Sequence, residues 1–309
     1  MRLSIFIMLC ALFGGALFVY YMRTNSVRSD TKLQVVCTTS MLADAIRVVG
    51  GEHVAVVQLM GPGVDPHLYR AREGDVRRLA HADLVLYHGL HLEGRMTDVL
   101  AAMNQYVPTV AVCECIPKEL LRESEFEGVY DPHVWHDITL WLLVVTAVRD
   151  ALAQIDPEHA ADYIMHAQHY HEELKALDAY VKTVIAAMPP EQRILVTAHD
   201  AFAYYGAAYG LEVVALQGIS TESDISMRDV IDLTSYIVNH HIKTLFLESS
   251  ISSRNIEAVQ QAVHARGWHV QLGDELYSDA LGDAASGADT YVRMIKHNTD
   301  VIVQGLKDL

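Results

Sequence analysis

Residues 156–190 read Asp-Pro-Glu-His-Ala-Ala-Asp-Tyr-Ile-Met-His-Ala-Gln-His-Tyr-His-Glu-Glu-Leu-Lys-Ala-Leu-Asp-Ala-Tyr-Val-Lys-Thr-Val-Ile-Ala-Ala-Met-Pro-Pro. Between Pro157 and Pro189 there is neither Gly nor Pro. Proline suits the first turn of a helix, where its missing N–H is not needed, and stops a helix at the other end. The stretch therefore predicts one helix over 156–189. At about 1.5 Å of rise per residue it is far longer than an ordinary globular helix. Such a rod serves best as a strut linking two lobes, with a cleft left between them.

On both sides of the strut, apolar β-branched runs alternate with helical patterns, which marks parallel sheets built from βαβ units. Before it, strands are expected at Leu33–Cys37, His53–Leu59, Leu84–Tyr87 and Thr109–Val112, with helices near Met41–Val49, Glu73–Ala80 and Gly94–Tyr106. After it, strands are expected at Ile194–Thr197, Glu212–Leu216, Thr244–Leu247 and His269–Gln271. Helices follow near Ala201–Tyr209, Met227–His240, Ser253–Arg266 and Ala284–Leu306. The fold class is thus α/β: two lobes, 32–155 and 190–309, each with a mainly parallel four-stranded sheet.

The chain has 309 residues, 51% hydrophobic and 20% charged, a globular rather than a disordered balance. Its net charge of -16 argues against nucleic acid, whose binders need a basic face to replace phosphate counterions. The acidity suits a protein that meets cations. Residues 1–31 form an export or anchoring element: Arg2 precedes twenty uncharged residues, Leu3 to Met22, and Arg23 follows. That run is long enough to cross a bilayer core of roughly 20 helical residues. A cleaved signal peptide is the other reading, with Gly14 and Ala16 as a small-x-small site, although cleavage there leaves an apolar N-terminus. Cys10 makes a poor lipid-attachment site because bulky Leu9 precedes it. A retained anchor is preferred, and on either reading the remainder is exported. No later segment is expected to be long and apolar enough to span a membrane. Four cysteines are too few for a disulfide framework.

Histidine carries the functional signal, with seventeen in the chain. Asp-Pro-His occurs twice, as Asp65-Pro66-His67 and Asp131-Pro132-His133. Proline fixes its own φ and holds the preceding residue extended, so each imidazole projects from a stiffened loop. The neighbouring Asp is placed to accept the ring N–H that faces away from a metal. In Leu195-Val-Thr-Ala-His199-Asp200, a histidine ends a buried strand, where open parallel sheets gather their ligands. Asp279, in Leu276-Tyr-Ser-Asp279, follows the last strand and offers a carboxylate. Three imidazoles and one carboxylate suit Zn²⁺ and admit Mn²⁺. Drawn as a pair from each lobe, they would clasp one ion across the cleft.

Together, Asp65-Pro-His67, Asp131-Pro-His-Val-Trp135, Thr197-Ala-His-Asp-Ala-Phe-Ala-Tyr-Tyr205, Ile219-Ser-Thr-Glu-Ser223, Phe246-Leu-Glu-Ser-Ser250 and Leu276-Tyr-Ser-Asp279 resemble the TroA-like zinc- and manganese-binding proteins of ABC importers (cluster A-I). The likeness covers nearly everything after residue 32. It implies two Rossmann-like lobes joined by a backbone helix and one Zn²⁺ or Mn²⁺ carried in the interlobe cleft. It also implies a monomeric, periplasmic receptor, free or anchored to the outer face of the cytoplasmic membrane, that delivers its ion to the permease subunits. Carried over residue by residue, the ligands are His67, His133, His199 and Asp279. Manganese-dedicated members tend to have Glu at the position of His199, and zinc-dedicated members often carry a long His-rich loop where this chain has only the sparse segment 114–129. His136 stands where an apolar residue is more usual, and Asp137 is expected to cap the next helix.

Other clusters have plainer explanations. Asp162, His166, His169 and Glu173 share one face of the long helix, as a solvated stripe does. His240-His241 ends a helix, where imidazole suits the dipole. Cys113 and Cys115 are read as reduced thiols, and His88 and His91 as shaping a loop near the cleft mouth. Glu248, at a strand end, is read either as an acceptor behind a metal ligand or as one half of an ion pair. No zinc-protease, phosphate-loop or nucleophile-elbow motif occurs. The expected protein is a receptor and not an enzyme, with a metallohydrolase or chelatase and a metal-stabilised adhesin as the alternatives.

Overall fold

The computed structural model describes residues 32–124 and 128–307, so the expectation of an anchor or signal at 1–31 lies outside the described residues. Strands β1 (Leu33–Cys37), β2 (Val54–Gln58), β3 (Leu84–Tyr87) and β4 (Thr109–Ala111) form one parallel sheet in the order β2-β1-β3-β4. Val35 lies opposite Val56 on one side and Leu84 on the other. The start of β2 is shorter than expected because Gly51–His53 forms a 3₁₀ turn. Helices α1 (Ser40–Gly50), α2 (Glu73–Ala80) and α3 (Thr97–Met103) belong to this half. Thr39 caps α1 by accepting from the Leu42 N–H, which satisfies one of the free donors of the first turn.

Helix α4 (Ile138–Ile155) corrects one expectation. It is long and apolar enough to pass for a membrane span. Its apolar side is instead covered by protein, with Ile138, Trp141, Val144, Val145, Val148 and Leu152 all buried. Asp137 caps it, as expected, by accepting from the Thr139 N–H at 2.7 Å. Trp141 is fully enclosed, and truncating such a side chain to Ala typically costs about 3–5 kcal/mol.

The strut is α5 (Ala160–Ala186), 27 residues long, entered through a 3₁₀ turn at Pro157–His159. It is shorter than 156–189 because Pro157 favours the tighter turn and the helix stops two residues ahead of Met188-Pro189. Tyr163, Ala167, Tyr170, Leu174, Leu177, Val181 and Ile185 make its buried stripe, three or four residues apart as one helix face requires. That stripe packs on α1 and α4 from the first half, and on α6 (Ala203–Tyr209) and α9 (Tyr291–Lys307) from the second. One continuous apolar core therefore runs from Val35 and Trp141 through Leu174 to Ile295 and Phe246.

In the second half, β5 (Ile194–His199) pairs with β6 (Glu212–Gln217), and β7 (Thr244–Glu248) with β8 (Gln271–Leu276), all parallel. The expected four-stranded sheet is thus two pairs lying side by side, with α7 (Met227–Asn239) and α8 (Arg254–Ala265) packed against them. The separation has a local cause. At the end of β5, the Ala198 and His199 N–H groups donate to the Glu248 side chain rather than to a strand carbonyl. β8 runs to Leu276, five residues beyond the expected end at Gln271, and so delivers the chain almost directly to Asp279. Helix α9 begins at Tyr291 rather than Ala284, because 283–287 turn back on themselves through Gly287 (φ 72°).

Candidate metal centre

The two Asp-Pro-His loops fold alike. Asp65 Oδ1 accepts from the His67 backbone N–H at 2.8 Å, and Asp131 Oδ1 accepts from the His133 N–H at 2.9 Å. Each aspartate closes a small turn around its proline and sets the direction of the imidazole. At His133 the same oxygen also takes the ring Nδ1–H at 2.7 Å, leaving Nε2 as the free lone pair. At His67 the second aspartate oxygen turns away and accepts from Thr221 Oγ1 at 2.7 Å, so the expected ring bond is made in only one of the two loops. Beneath the second loop, His88 Nε2 donates to the Pro132 carbonyl at 2.9 Å. His88 is fully buried, which places it under the loop as a support rather than at a cleft mouth.

His199 is the last residue of β5, and Asp279 stands three residues past β8. Glu248, at the end of the neighbouring β7, receives His199 Nδ1 on Oε2 at 2.5 Å and the His199 N–H on Oε1 at 2.9 Å. Glu248 is thus the hydrogen-bond and ion-pair partner of His199.

All four residues meet. The Nε2 atoms of His67 and His133 are 3.3 Å apart. Asp279 Oδ2 lies 3.3 Å from His199 Nε2 and 3.9 Å from His67 Nε2, and Oδ1 lies 3.5 Å from His133 Nε2. The donor atoms all fall within 4.8 Å of one another. Four ligands placed about 2.0–2.1 Å from a tetrahedral ion stand about 3.3 Å apart; the His67–His133, His199–Asp279 and His133–Asp279 separations match that figure to within about 0.2 Å, and His67–Asp279 at 3.9 Å is wider. None of the four is more than 2% exposed. His199 Nε2 and both Asp279 oxygens are buried without a well-aligned hydrogen bond. Leaving three polar atoms in that condition is costly, and a cation at their meeting point would satisfy all three.

Burial pushes the His67 imidazolium down to about 3, and His133, His199 and His88 nearby add to the fall. Burial acts the same way on His199, but the Glu248 and Asp279 carboxylates outweigh it and hold the ring well above its ordinary value. Burial by itself would raise Asp279; the three surrounding imidazoles, His199 first, hold it below the usual carboxylate range. Without a metal, His199 and Asp279 thus form a charged pair in a sealed site. His136, expected to be unusual, packs its ring 4.4 Å from that of Phe202, and burial brings it down to about 3.

Sequence reasoning gave no role to Ser40 or Thr221. Ser40 Oγ accepts from the Leu281 N–H at 2.8 Å, tying the Asp279 loop to the first half. Thr221 lies in the quoted Ile-Ser-Thr-Glu-Ser motif, but its partner Asp65 is 156 residues away. The other clusters stay apart from the centre. Asp162 pairs with His53, and His166 Nδ1 donates to the Val49 carbonyl, while His169 and Glu173 face solvent. His240 stacks on Tyr236, and His241 packs edge-on against Trp268. Cys113 and Cys115 are free thiols. His91 lines a separate cavity of about 480 Å³ that none of the four donors reaches.

The family described as "Zinc-uptake complex component A periplasmic" matches residues 35–305. The chain belongs to the zinc-uptake complex component A family. It is 45% identical to the manganese-binding lipoprotein MntA of Bacillus subtilis over 279 residues, covering 90% of this chain and 91% of that one. It is also 45% identical to the zinc-binding protein TroA of Treponema pallidum over 299 residues, 96% of this chain and 97% of that one. The solved structure of the periplasmic zinc-binding protein TroA superposes with a TM-score of 0.87 at 46% identity, covering 89% of this chain and 99% of that chain. At that identity the chain is a relative of the treponemal protein and not the same molecule. Another relative, 32% identical, is the iron-binding protein YfeA of Yersinia pestis.

Proposed function

We propose that the protein is the extracytoplasmic receptor of an ABC importer, and that it captures one divalent ion, Zn²⁺ or Mn²⁺, between His67, His133, His199 and Asp279. The observation that carries this reading is the convergence of four buried donors, three of whose atoms have no other partner. The cleft separates a first lobe, 32–155, from a second, 190–309, joined by the helix at 156–189. The first lobe supplies His67 and His133 from stiffened loops, and the second supplies His199 and Asp279. The ion is cargo: it is held until the receptor meets the permease, and then released. The names borne by the relatives, zinc, manganese and iron proteins among them, support a divalent cargo. Three imidazoles favour Zn²⁺ by affinity, and supply and geometry still admit Mn²⁺.

A hydrolytic enzyme keeps one coordination position open for water. Four protein donors in a site closed to solvent leave none, which supports a carrier over a metallohydrolase. The protein works as a monomer on the outer face of the cytoplasmic membrane, tethered through 1–31 or released after cleavage. Metal analysis of protein purified without added metal, with X-ray absorption on the bound ion, tests the reading. One ion per chain with three nitrogen donors and one carboxylate is the expected result; a bound water in the inner shell, or no metal uptake, would overturn it.

A further inference from the structure

The segment Asp131–His136 does more than present His133. Two side chains just after it, Trp135 and His136, send N–H groups to one acceptor. Trp135 Nε1 donates to the Ser278 carbonyl at 2.8 Å, and His136 Nε2 donates to the same oxygen at 3.2 Å. Ser278 immediately precedes Asp279. All four residues are buried, so water does not compete for that carbonyl. The 142 and 143 residues between donors and acceptor mean that the contact forms only when the two halves close on one another.

A carbonyl has two lone pairs, and filling both from side chains fixes the peptide plane on that side of Asp279. The other end of the loop is held by the Leu281 N–H on Ser40 Oγ, and Tyr277 is bound through both its N–H and its carbonyl by Asn298. The loop therefore has little freedom even before a cation arrives. His136 makes this arrangement at a cost, because its Nδ1 is buried with no partner. A leucine or phenylalanine would fill the space beside Phe202 without that cost, so the retained imidazole is explained by the bond that its other nitrogen makes.

We propose that His136, acting with Trp135, is a positioning residue: its N–H holds the Ser278 carbonyl so that the Asp279 carboxylate stands ready opposite His133. The proposal rests on the capture reading above for its consequence, but the pinning of the loop does not depend on it. One short segment of the first half then supplies an imidazole donor and also sets the carboxylate that comes from the second half. A donor already in place loses less freedom when it coordinates, which raises affinity without any new contact to the ion.

The test uses the full chain, with His136→Phe to remove the N–H at similar bulk and His136→Gln to replace the ring with an amide N–H at comparable reach. Two measurements are made on each: zinc affinity by competition with a chromophoric chelator, and hydrogen exchange of the Tyr277–Gly282 peptide in metal-stripped protein. His136→Phe should bind zinc about ten-fold more weakly and lose exchange protection in that peptide alone, and His136→Gln should recover both. If His136→Phe folds poorly, Trp135→Phe should show the same pair of losses. Unchanged affinity and exchange in His136→Phe would overturn the proposal, as would His136→Gln behaving no better than His136→Phe, since bulk rather than the N–H would then be at work. Should the unsubstituted protein take up no zinc while the exchange arm behaves as described, the capture reading fails and the pinning of the loop stands.

Discussion

Glu248 meets His199 twice, with one carboxylate oxygen 2.5 Å from the ring Nδ1 and the other accepting the residue's own backbone N–H at 2.9 Å. The pair fixes both the position of the ring and the nitrogen left to face the cleft. Glu248→Gln removes the charge that favours Nδ1–H, and zinc affinity should fall about 10–100-fold, the usual effect of losing the partner behind a metal-bound imidazole. A competition titration decides it, and an unchanged affinity would assign Glu248 to the strand rather than to the centre.

Removal of a donor should cost more than removal of its support. His67→Ala and His133→Ala should each weaken zinc binding by more than about 100-fold, the upper range for supporting residues. His169→Ala, on the solvent side of α5, should leave it unchanged. Equal effects at His169 and His67 would move the site to the long helix.

Acid should weaken binding, and the sign follows from His199. Its folded value is raised well above 6.5 by Glu248 and Asp279, so in the metal-free protein it still carries a proton at neutral pH. An incoming cation must displace that proton. Affinity should climb about ten-fold per pH unit through neutrality, with about one proton released per ion. The sequence suggests instead that weakening starts only near the ordinary imidazole pKa of about 6.5. Calorimetry in buffers of different ionisation heat counts the protons, and a result of zero contradicts the charged pair.

The stability of the metal-free protein should respond to pH in a different window. Burial brings His67, His88 and His136 to about 3, whereas unfolded chains titrate near 6.5. Below that value the unfolded state binds protons that the folded state refuses. Stability should therefore fall as pH drops from 6.5 toward 3, at up to about 4 kcal/mol per unit for the three rings together. His199 has the opposite sign: its stabilisation is present below 6.5 and is lost as pH rises through its elevated folded value. Thermal unfolding of stripped protein at pH 7 and pH 5 measures the slope; similar midpoints would mean that these rings are not held neutral in the folded state.

Stripping the metal should alter the shape little. α5 is continuous over 27 residues and its buried stripe packs on elements of both halves, so a hinge would have to break one shared core. Small-angle scattering of loaded and chelated protein should give the same radius of gyration within error. A clear expansion on chelation would show that the two halves swing apart.

Much of the scaffold was legible because its signals are local. Val35 and Val36, and likewise Leu84 and Val85, announce strands by their β-branched or apolar runs, and proline bounds α5 at each end. β8 was misjudged because Gln271-Leu-Gly-Asp-Glu-Leu276 is polar, with much of it facing solvent at the side of the sheet, where no buried face imposes an apolar pattern. The start of α9 was misjudged for a related reason. Ala284 and Ala285 favour helix, but Ser286 Oγ donates to the Asp283 carbonyl and closes a turn there first. α4 meets the length and apolarity of a membrane span against expectation, and composition alone cannot tell a helix buried in protein from one buried in lipid.

By itself the sequence determined the kind of donors and the stiffness of their loops, because imidazole chemistry and the fixed φ of Pro66 and Pro132 belong to single residues and their neighbours. Only the tertiary structure decided that His67, His133, His199 and Asp279 share one sealed point, that Glu248 stands behind His199, and that Trp135 and His136 hold the peptide before Asp279. Glu248 and His199 are 49 residues apart and Trp135 and Ser278 are 143 apart, and nothing local specifies such distances; they are fixed by β5 lying beside β7 and by both halves packing on the same face of α5.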